Sequence, residues 1–425
     1  MATTPTRFDD LPLEITFDIL SRLPAKTLLQ FRCVSKCYNS IITSPDFITK
    51  HFKHNLEVKS LLSVDNNNDH LLCKPPPDPR DQDFVRTVFC NISSDHTLTE
   101  VYRLTIPVYK PTIVGISKGL FCLAFQKLIM PSYYSNNEET DYSSVSRVFL
   151  WNPNIRKLKI LPSTDERIDF YGCGFGYHHI QNNDFDFKVL KYGLFFLESQ
   201  LYFMVYTLST DSWKQVESFN GSRGPVTWIE KSPCLFFNGA LHFIAYSRHH
   251  KFILSFDLHE EKFREIMLPQ NYSNGLCFKF EQLAVLEGSL ALIAFHSPQQ
   301  KCHIWVMRVY GDVDSWTPNI VELEEVENFL GCTGRGELVI KKSSSPHKFV
   351  LFDPKSLDEK NIGIGDLTPE TYTANLMESL VLLNEPKLYW QVSCSIQWSC
   401  WEAFESMLLL FFHSFCCRHE HIVFI

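Results

Sequence analysis

The sequence lacks a long run of lysine and arginine, an uninterrupted apolar segment of membrane length, and an apolar stretch near its start. Each absence excludes a class of protein. At a net charge of −8 the broad basic footprint of a nucleic-acid binder is missing, so no nucleic-acid partner is expected. No apolar run reaches the roughly 18 to 20 residues that span a bilayer, and MATTPTRFDD has no secretory core. The expectation is a soluble chain without a membrane partner, in the cytoplasm, the nucleus or both. The 14 cysteines are scattered through 425 residues and contain no C-x-x-C pair, which reads as reduced thiols and not as a disulfide framework.

Catalytic signatures are also missing. There is no Walker A loop. GCGFGY (172–177) fails the dinucleotide pattern because Tyr177 stands at the sixth position and strand-like sequence follows; its glycines read as relief of crowding in a strand. HEEKF fails the zinc-protease pattern because Phe263 replaces the second histidine. The pairs His178-His179 and His249-His250 read as loop or surface residues. A glycosidase carboxylate pair, Asp184 or Asp186 with Glu230, is the remaining catalytic alternative. No cofactor, no metal and no enzymatic activity are expected.

What is present begins at Leu11. LPLEITFDILSRLPAKTLLQFRCVSK divides at Pro24 into two helical segments, with Asp10 as a candidate N-cap and Pro24 suited to a helix start. At 100° per residue the apolar side chains of the first segment cover an arc of roughly 240°, well beyond the ~100° stripe of an ordinary amphipathic helix. A unit of about 40 residues cannot hide that surface within itself. Either the rest of the chain covers it or a partner does.

The stretch LPLEITFDILSRLPAKTLLQFRCVSKCYNSIITSPDFI (11–48) resembles the F-box of plant F-box proteins. The resemblance implies docking on a Skp-type adaptor and, through it, a cullin–RING ubiquitin ligase. The adaptor contacts it implies are Leu11, Pro12, Ile15, Ile19, Leu20, Leu23, Pro24, Leu28, Val34 and Tyr38. Cys37-Tyr38 departs from the Ser-Trp frequent in the family, and the tyrosine keeps a large amphipathic ring of smaller area.

After the helices, DNNNDH (65–70) and KPPPDPRDQD (74–83) read as a connector, because adjacent prolines favour extended polyproline and stop a regular sheet. From Phe84 short apolar runs end at Gly, Asn, Asp or Pro, as many short strands do. FLWNPNIRKLKILP, VYTLSTDSWKQVE, ILSFDLHEEKFREIMLP, IWVMRVYGDVDSWTPNI and FVLFDPKSL each read strand, polar turn, strand. Their turn residues Asn152, Ser209, Asp257, Gly311 and Asp353 are 57, 48, 54 and 42 residues apart, a spacing that straddles a propeller blade. A second motif places Gly119, Gly239 and Gly288 before a hydrophobic strand, where a hairpin needs positive φ. Phe149, Trp151, Trp213, Phe236, Phe237, Trp305 and Trp316 suit the space between radially packed sheets. A pair of β-sandwiches is the alternative fold and explains the regular spacing less well.

CGFGYHHIQNNDFDFKVLKY, FNGALHFIAY, SFDLHEEKFREIMLP, WVMRVYGDVDSW and TYTANLMESLVLLN look like the F-box-associated interaction domain of the same proteins, similar to kelch-type propellers. The fold class expected is mixed, mainly β, with a small all-α N-terminal module followed by a β-propeller-like domain. The divisions are 1–50 F-box, 51–83 connector, 84–390 propeller-like domain and 391–425 an atypical tail. That tail carries Cys416, Cys417, His419 and His421 in a spacing that matches no zinc pattern. The resemblance implies the substrate-recognition subunit of a Skp-cullin-F-box ubiquitin ligase, capturing a target protein that the sequence does not identify. The alternatives are a propeller lectin and a non-degradative F-box scaffold.

Overall fold

A computed structural model describes residues 12–62, 69–75, 85–92, 97–106, 111–129, 142–164, 168–180, 185–195, 201–221, 224–230, 233–248, 250–272, 280–296, 299–343, 349–362, 368–373 and 377–384. Four helices come first: α1 (Leu13–Ser21), α2 (Ala25–Val34), α3 (Lys36–Ile42) and α4 (Pro45–Leu62). Pro12 and Pro24 stand at the N-caps of α1 and α2, both in extended conformation, so each proline sits just before its helix where no helical N–H is lost. Ser35 caps α3 by accepting from the Cys37 N–H. The proposed cap Asp10 lies outside the described residues.

Six antiparallel sheets of four or five strands follow, arranged as the blades of a propeller, with a two-stranded ribbon, Asn220–Gly221 and Gly224–Pro225, between the second and third. Blade one holds Thr112–Ser117, Leu120–Ile129, Tyr142–Asn152 and Lys157–Ile160; blade two holds Ile168–His179, Phe185–Phe195, Leu201–Thr207 and Ser212–Val216. In blade three, Trp228–Ile229 and Leu235–Phe237 share the first position, beside Ala240–Ser247, His250–Asp257 and Lys262–Ile266. Blade four runs from Phe280 to Glu322 and blade five from Val326 to Ile362. Blade six joins the two ends of the propeller: Thr368–Thr373 pairs with Asp69–Lys74, which pairs with Val85–Ile92 and then Leu98–Ile106. From blade one to blade six the first strands of successive sheets lie next to one another.

Both repeats seen in the sequence are hairpins. Asn152, Ser209, Asp257, Gly311 and Asp353 mark the turns between third and fourth strands of blades one to five. Gly119, Gly239 and Gly288 have φ of 79°, 75° and 73°, and the residue before each is also left-handed, so the first two strands of blades one, three and four meet in two-residue turns. That turn matches the right-handed strand twist. The aromatics named above do fill the gaps between sheets: Phe149 and Trp151 between blades six and one, Trp305 and Trp316 between three and four.

The connector assignment for 51–83 needs correction. Helix α4 continues through residue 50 to Leu62, and Asp69–Lys74 is an interior strand of blade six in which Leu71, Leu72 and Cys73 are fully buried. Asn and Pro clusters flank this strand on both sides, and its partner Thr368–Thr373 lies some three hundred residues away, so local composition hides it. Residues 76–84 of the proline stretch and the tail 391–425 lie outside the described residues.

Each gap between neighbouring blades holds one hydrophobic core. The exception is the gap between blades one and two, whose core continues out of the propeller into the helices, through Leu20, Ala25, Leu28, Ile42 and Phe47. Turns between first and second and between third and fourth strands emerge on a single face of the ring, the near face, and the helices sit there. Phe52 of α4 stacks on Phe185 at the start of the second strand of blade two.

Candidate functional site

A strap, residues 377–384, ending in a turn over 381–384, fixes the helices to the near face. Asn152 at the blade-one turn donates its amide to the carbonyls of Ser379 and Val381, at 2.9 and 2.8 Å, and Asn154 donates to Met377 at 3.2 Å. Gly119 lets the strap approach: a Cβ there would lie 2.3 Å from the Met377 carbonyl oxygen. On its other side the strap meets the helices. The Glu378 carboxylate accepts the Ala25 N–H at 2.8 Å and so serves as the cap that Pro24 cannot supply. Asn55 donates to the Glu378 carbonyl, and Asn384 donates to Thr43. His51, fully buried, bonds the Leu23 carbonyl, and burial pushes its pKa below the usual histidine value.

This docking divides the helices into two faces. Leu20 and Leu28 are completely buried against the propeller core, with Phe47 beside them. Pro12, Ile15 and Ile19 form a stripe on the other side of α1, with Ile15 48% and Ile19 37% exposed. Val34 at the end of α2 is 77% exposed and Pro24 is exposed. Leu23 and Tyr38 are half-buried, Tyr38 with its ring edge-on to Phe31. Of the ten residues that the family resemblance implies, five therefore share the open side, two sit at its rim, and Leu20 and Leu28 point into the protein. Leu11 lies outside the described residues. Sequence reasoning missed Leu13, 61% exposed at the start of α1. Asp18 sits between Lys50 and Arg22 on the flank, and hydrogen bonds from both hold its carboxyl below the usual range.

The opposite, far face is rich in aromatic rings at blades two to four. Tyr171 and Trp228 stack at 5.8 Å with 17° between planes. Tyr246 donates its hydroxyl to Glu230 at 3.1 Å. Lys251 pairs with Glu281, which also accepts from Tyr272. Burial pulls the Lys251 ammonium down, but Glu281 overrides it and holds the pKa above the usual lysine range. In the gap between blades one and two, Lys191 is buried over the rings of Phe170 and Trp213, and burial lowers its pKa to about 8.

The candidate chemistry of the sequence resolves into structural roles. Asp186 accepts from the N–H groups of Phe187 and Ser209 and from the Ser209 hydroxyl, so it ties a turn. Glu230 is held by Tyr246, and Asp184 lies outside the described residues. His259 stands in an exposed turn whose N–H groups bind Asp257. GCGFGY is the first strand of blade two, and a Cβ at Gly172 or Gly176 would come within 2.1 Å of Tyr192 or 2.3 Å of Phe236. None of the nine described cysteines forms a disulfide. Among the described residues no helix is long and apolar enough to cross a membrane, and no group of three or more candidate ligands gathers into a metal site. The His and Cys of the tail lie outside them.

Four helices strapped to one face of a six-bladed propeller define an F-box protein of the propeller class. The chain belongs to the F-box proteins with an F-box associated beta propeller domain: the F-box domain matches residues 8–50 and the propeller domain 81–385. Its relatives in Arabidopsis thaliana include the F-box protein At1g47730, 28% identical and covering 81% of this chain and 82% of that protein. F-box protein CPR1 is 26% identical over 88% of this chain and 89% of its own length. The F-box/kelch-repeat protein At3g23880 is 26% identical over 72% and 78%.

Proposed function

We propose that the chain is the substrate-recognition subunit of a Skp-cullin-F-box ubiquitin ligase. The observation that carries this reading is the divided helical module: one face is buried on the propeller, while Ile15, Ile19 and Val34 keep apolar surface in water. The Skp-type adaptor covers Pro12, Leu13, Ile15, Ile19, Pro24 and Val34, with Leu23 and Tyr38 at the rim. Leu20 and Leu28 act indirectly, by holding α1 and α2 in place. The family resemblance adds Leu11 to these contacts.

The far face receives the target protein. The strands between the two faces are about 25 Å long, so adaptor and target do not collide. The chain supplies proximity and not bond-making: the charged ubiquitin enzyme arrives on other subunits, and tethering raises the local concentration of a target lysine. A rigid strap serves this role, since a loose joint would dilute that concentration.

The test is co-purification of the full chain with a plant Skp-type adaptor. Wild type is expected to be retained and Ile15→Asp to be lost, with both equally stable in urea. Retention of neither, or equal retention of both, would overturn the reading.

A further inference from the structure

The far face places a stacked tyrosine and tryptophan, Tyr171 and Trp228, on the first strands of blades two and three, at the end remote from the helices. Trp228 is 37% exposed although it is a large apolar ring. The Tyr171 hydroxyl is buried without a hydrogen-bond partner. Two residues beyond Trp228, the Glu230 carboxylate accepts a hydrogen bond from Tyr246 and takes part in no ion pair among the described residues.

The propeller shows twice what such surroundings hold. Lys251 lies 5.2 and 5.7 Å from the ring centres of Tyr246 and Tyr272, against the Glu281 carboxylate. Lys191 lies 4.4 and 5.4 Å from those of Phe170 and Trp213. In both, an internal cation sits on aromatic faces. Among the described residues no cation of the chain sits over the Tyr171–Trp228 pair.

We propose that this third aromatic site takes an arginine side chain of the target. A guanidinium is planar and weakly hydrated, so it stacks on the exposed indole more readily than an ammonium does, and its donors suit a carboxylate such as Glu230. The inference rests on the reading that the far face receives the target, and it gives that face a chemical preference.

The experiment is calorimetric titration of the full chain, in complex with its adaptor where the two associate, with the peptide acetyl-Gly-Ser-Arg-Ser-Gly-amide and its glutamine and lysine counterparts. The arginine peptide is expected to bind about tenfold or more tightly than the glutamine peptide, the factor that a desolvated cation–aromatic contact supplies. Glu230→Gln and Trp228→Ala abolish that discrimination, and Trp228→Phe restores part of it. Urea midpoints and adaptor retention guard against misfolding. Equal binding of the arginine and glutamine peptides overturns the site, as does full discrimination in Glu230→Gln. A lysine peptide bound as tightly as arginine overturns the choice of guanidinium. Loss of adaptor binding with arginine discrimination intact would sink the ligase reading and leave this site standing.

Discussion

Leu20 and Ile19 are neighbours on one helix, yet Leu20 is completely buried and Ile19 is 37% exposed. Leu28 and Val34 repeat the contrast on the next helix, at 0% and 77%. Both faces of this small module carry apolar residues, and their fates are opposite. Burial of one face in the continuous core with blades one and two gives the helices a fixed orientation. Exposure of the other leaves surface for a second protein. An excess of apolar residues on a short helix pair therefore has two explanations at once, intramolecular support and intermolecular docking, and they divide by helix face.

Substitutions can break that division. Leu28→Ala on the buried face should have the largest effect, costing about 3 kcal/mol by transfer and cavity terms, read as a drop in the urea midpoint. Ile15→Asp on the exposed face should leave that midpoint unchanged and weaken adaptor binding by about 2 kcal/mol, the scale of an interface hot spot. If Ile15→Asp lowers stability as much as Leu28→Ala does, the faces are not distinct.

Acid sharpens the contrast through the seam. Burial depresses the pKa of His51 below its ordinary 6.5, and in the propeller burial takes His242, bonded to Tyr310 at 2.7 Å, to about 4. The unfolded chain then binds protons first, so stability is complete above about pH 6.5 and falls as pH drops, for His242 until about pH 4. Each such histidine contributes a slope of at most about 1.4 kcal/mol per pH unit. Urea midpoints from pH 7.5 to 5 should fall, and His51→Asn should flatten the part belonging to the seam.

The smallest expected effect is at the strap. Glu378→Gln keeps an acceptor for the Ala25 N–H but loses its charge at a helix start, and should cost about 0.5 kcal/mol; Glu378→Ala should cost about 1 kcal/mol, measured in the same denaturant series. A variant that frees the helices without lowering propeller stability would show the strap to be the joint.

The hairpins were legible in the sequence because their cause is local. A polar turn between two apolar runs, or a glycine at a left-handed position, writes itself into a few adjacent residues, and Gly119, Gly239 and Gly288 stand where that reasoning placed them. The strap was not legible. Glu378 caps a helix 353 residues away, and nothing near it in the chain announces a cap. The strand Asp69–Lys74 was hidden for a related reason, since one of its two partners lies at the far end of the propeller and the polar and proline-rich sequence on both sides masks the other. On the helices, periodicity showed that apolar surface was in excess, but the side taken by the propeller depends on a surface assembled from blades one and two. That is why Leu20 and Leu28 look like docking residues in the sequence and are core in the fold.

The measurement closest to the central claim is hydrogen exchange of the full chain with and without a Skp-type adaptor. The account predicts that the adaptor slows exchange across α1 and α2 on the Ile15–Val34 side, while the strap and blades one and two, already protected, stay unchanged. Protection that appears instead at the strap, or none in the helices, would contradict it.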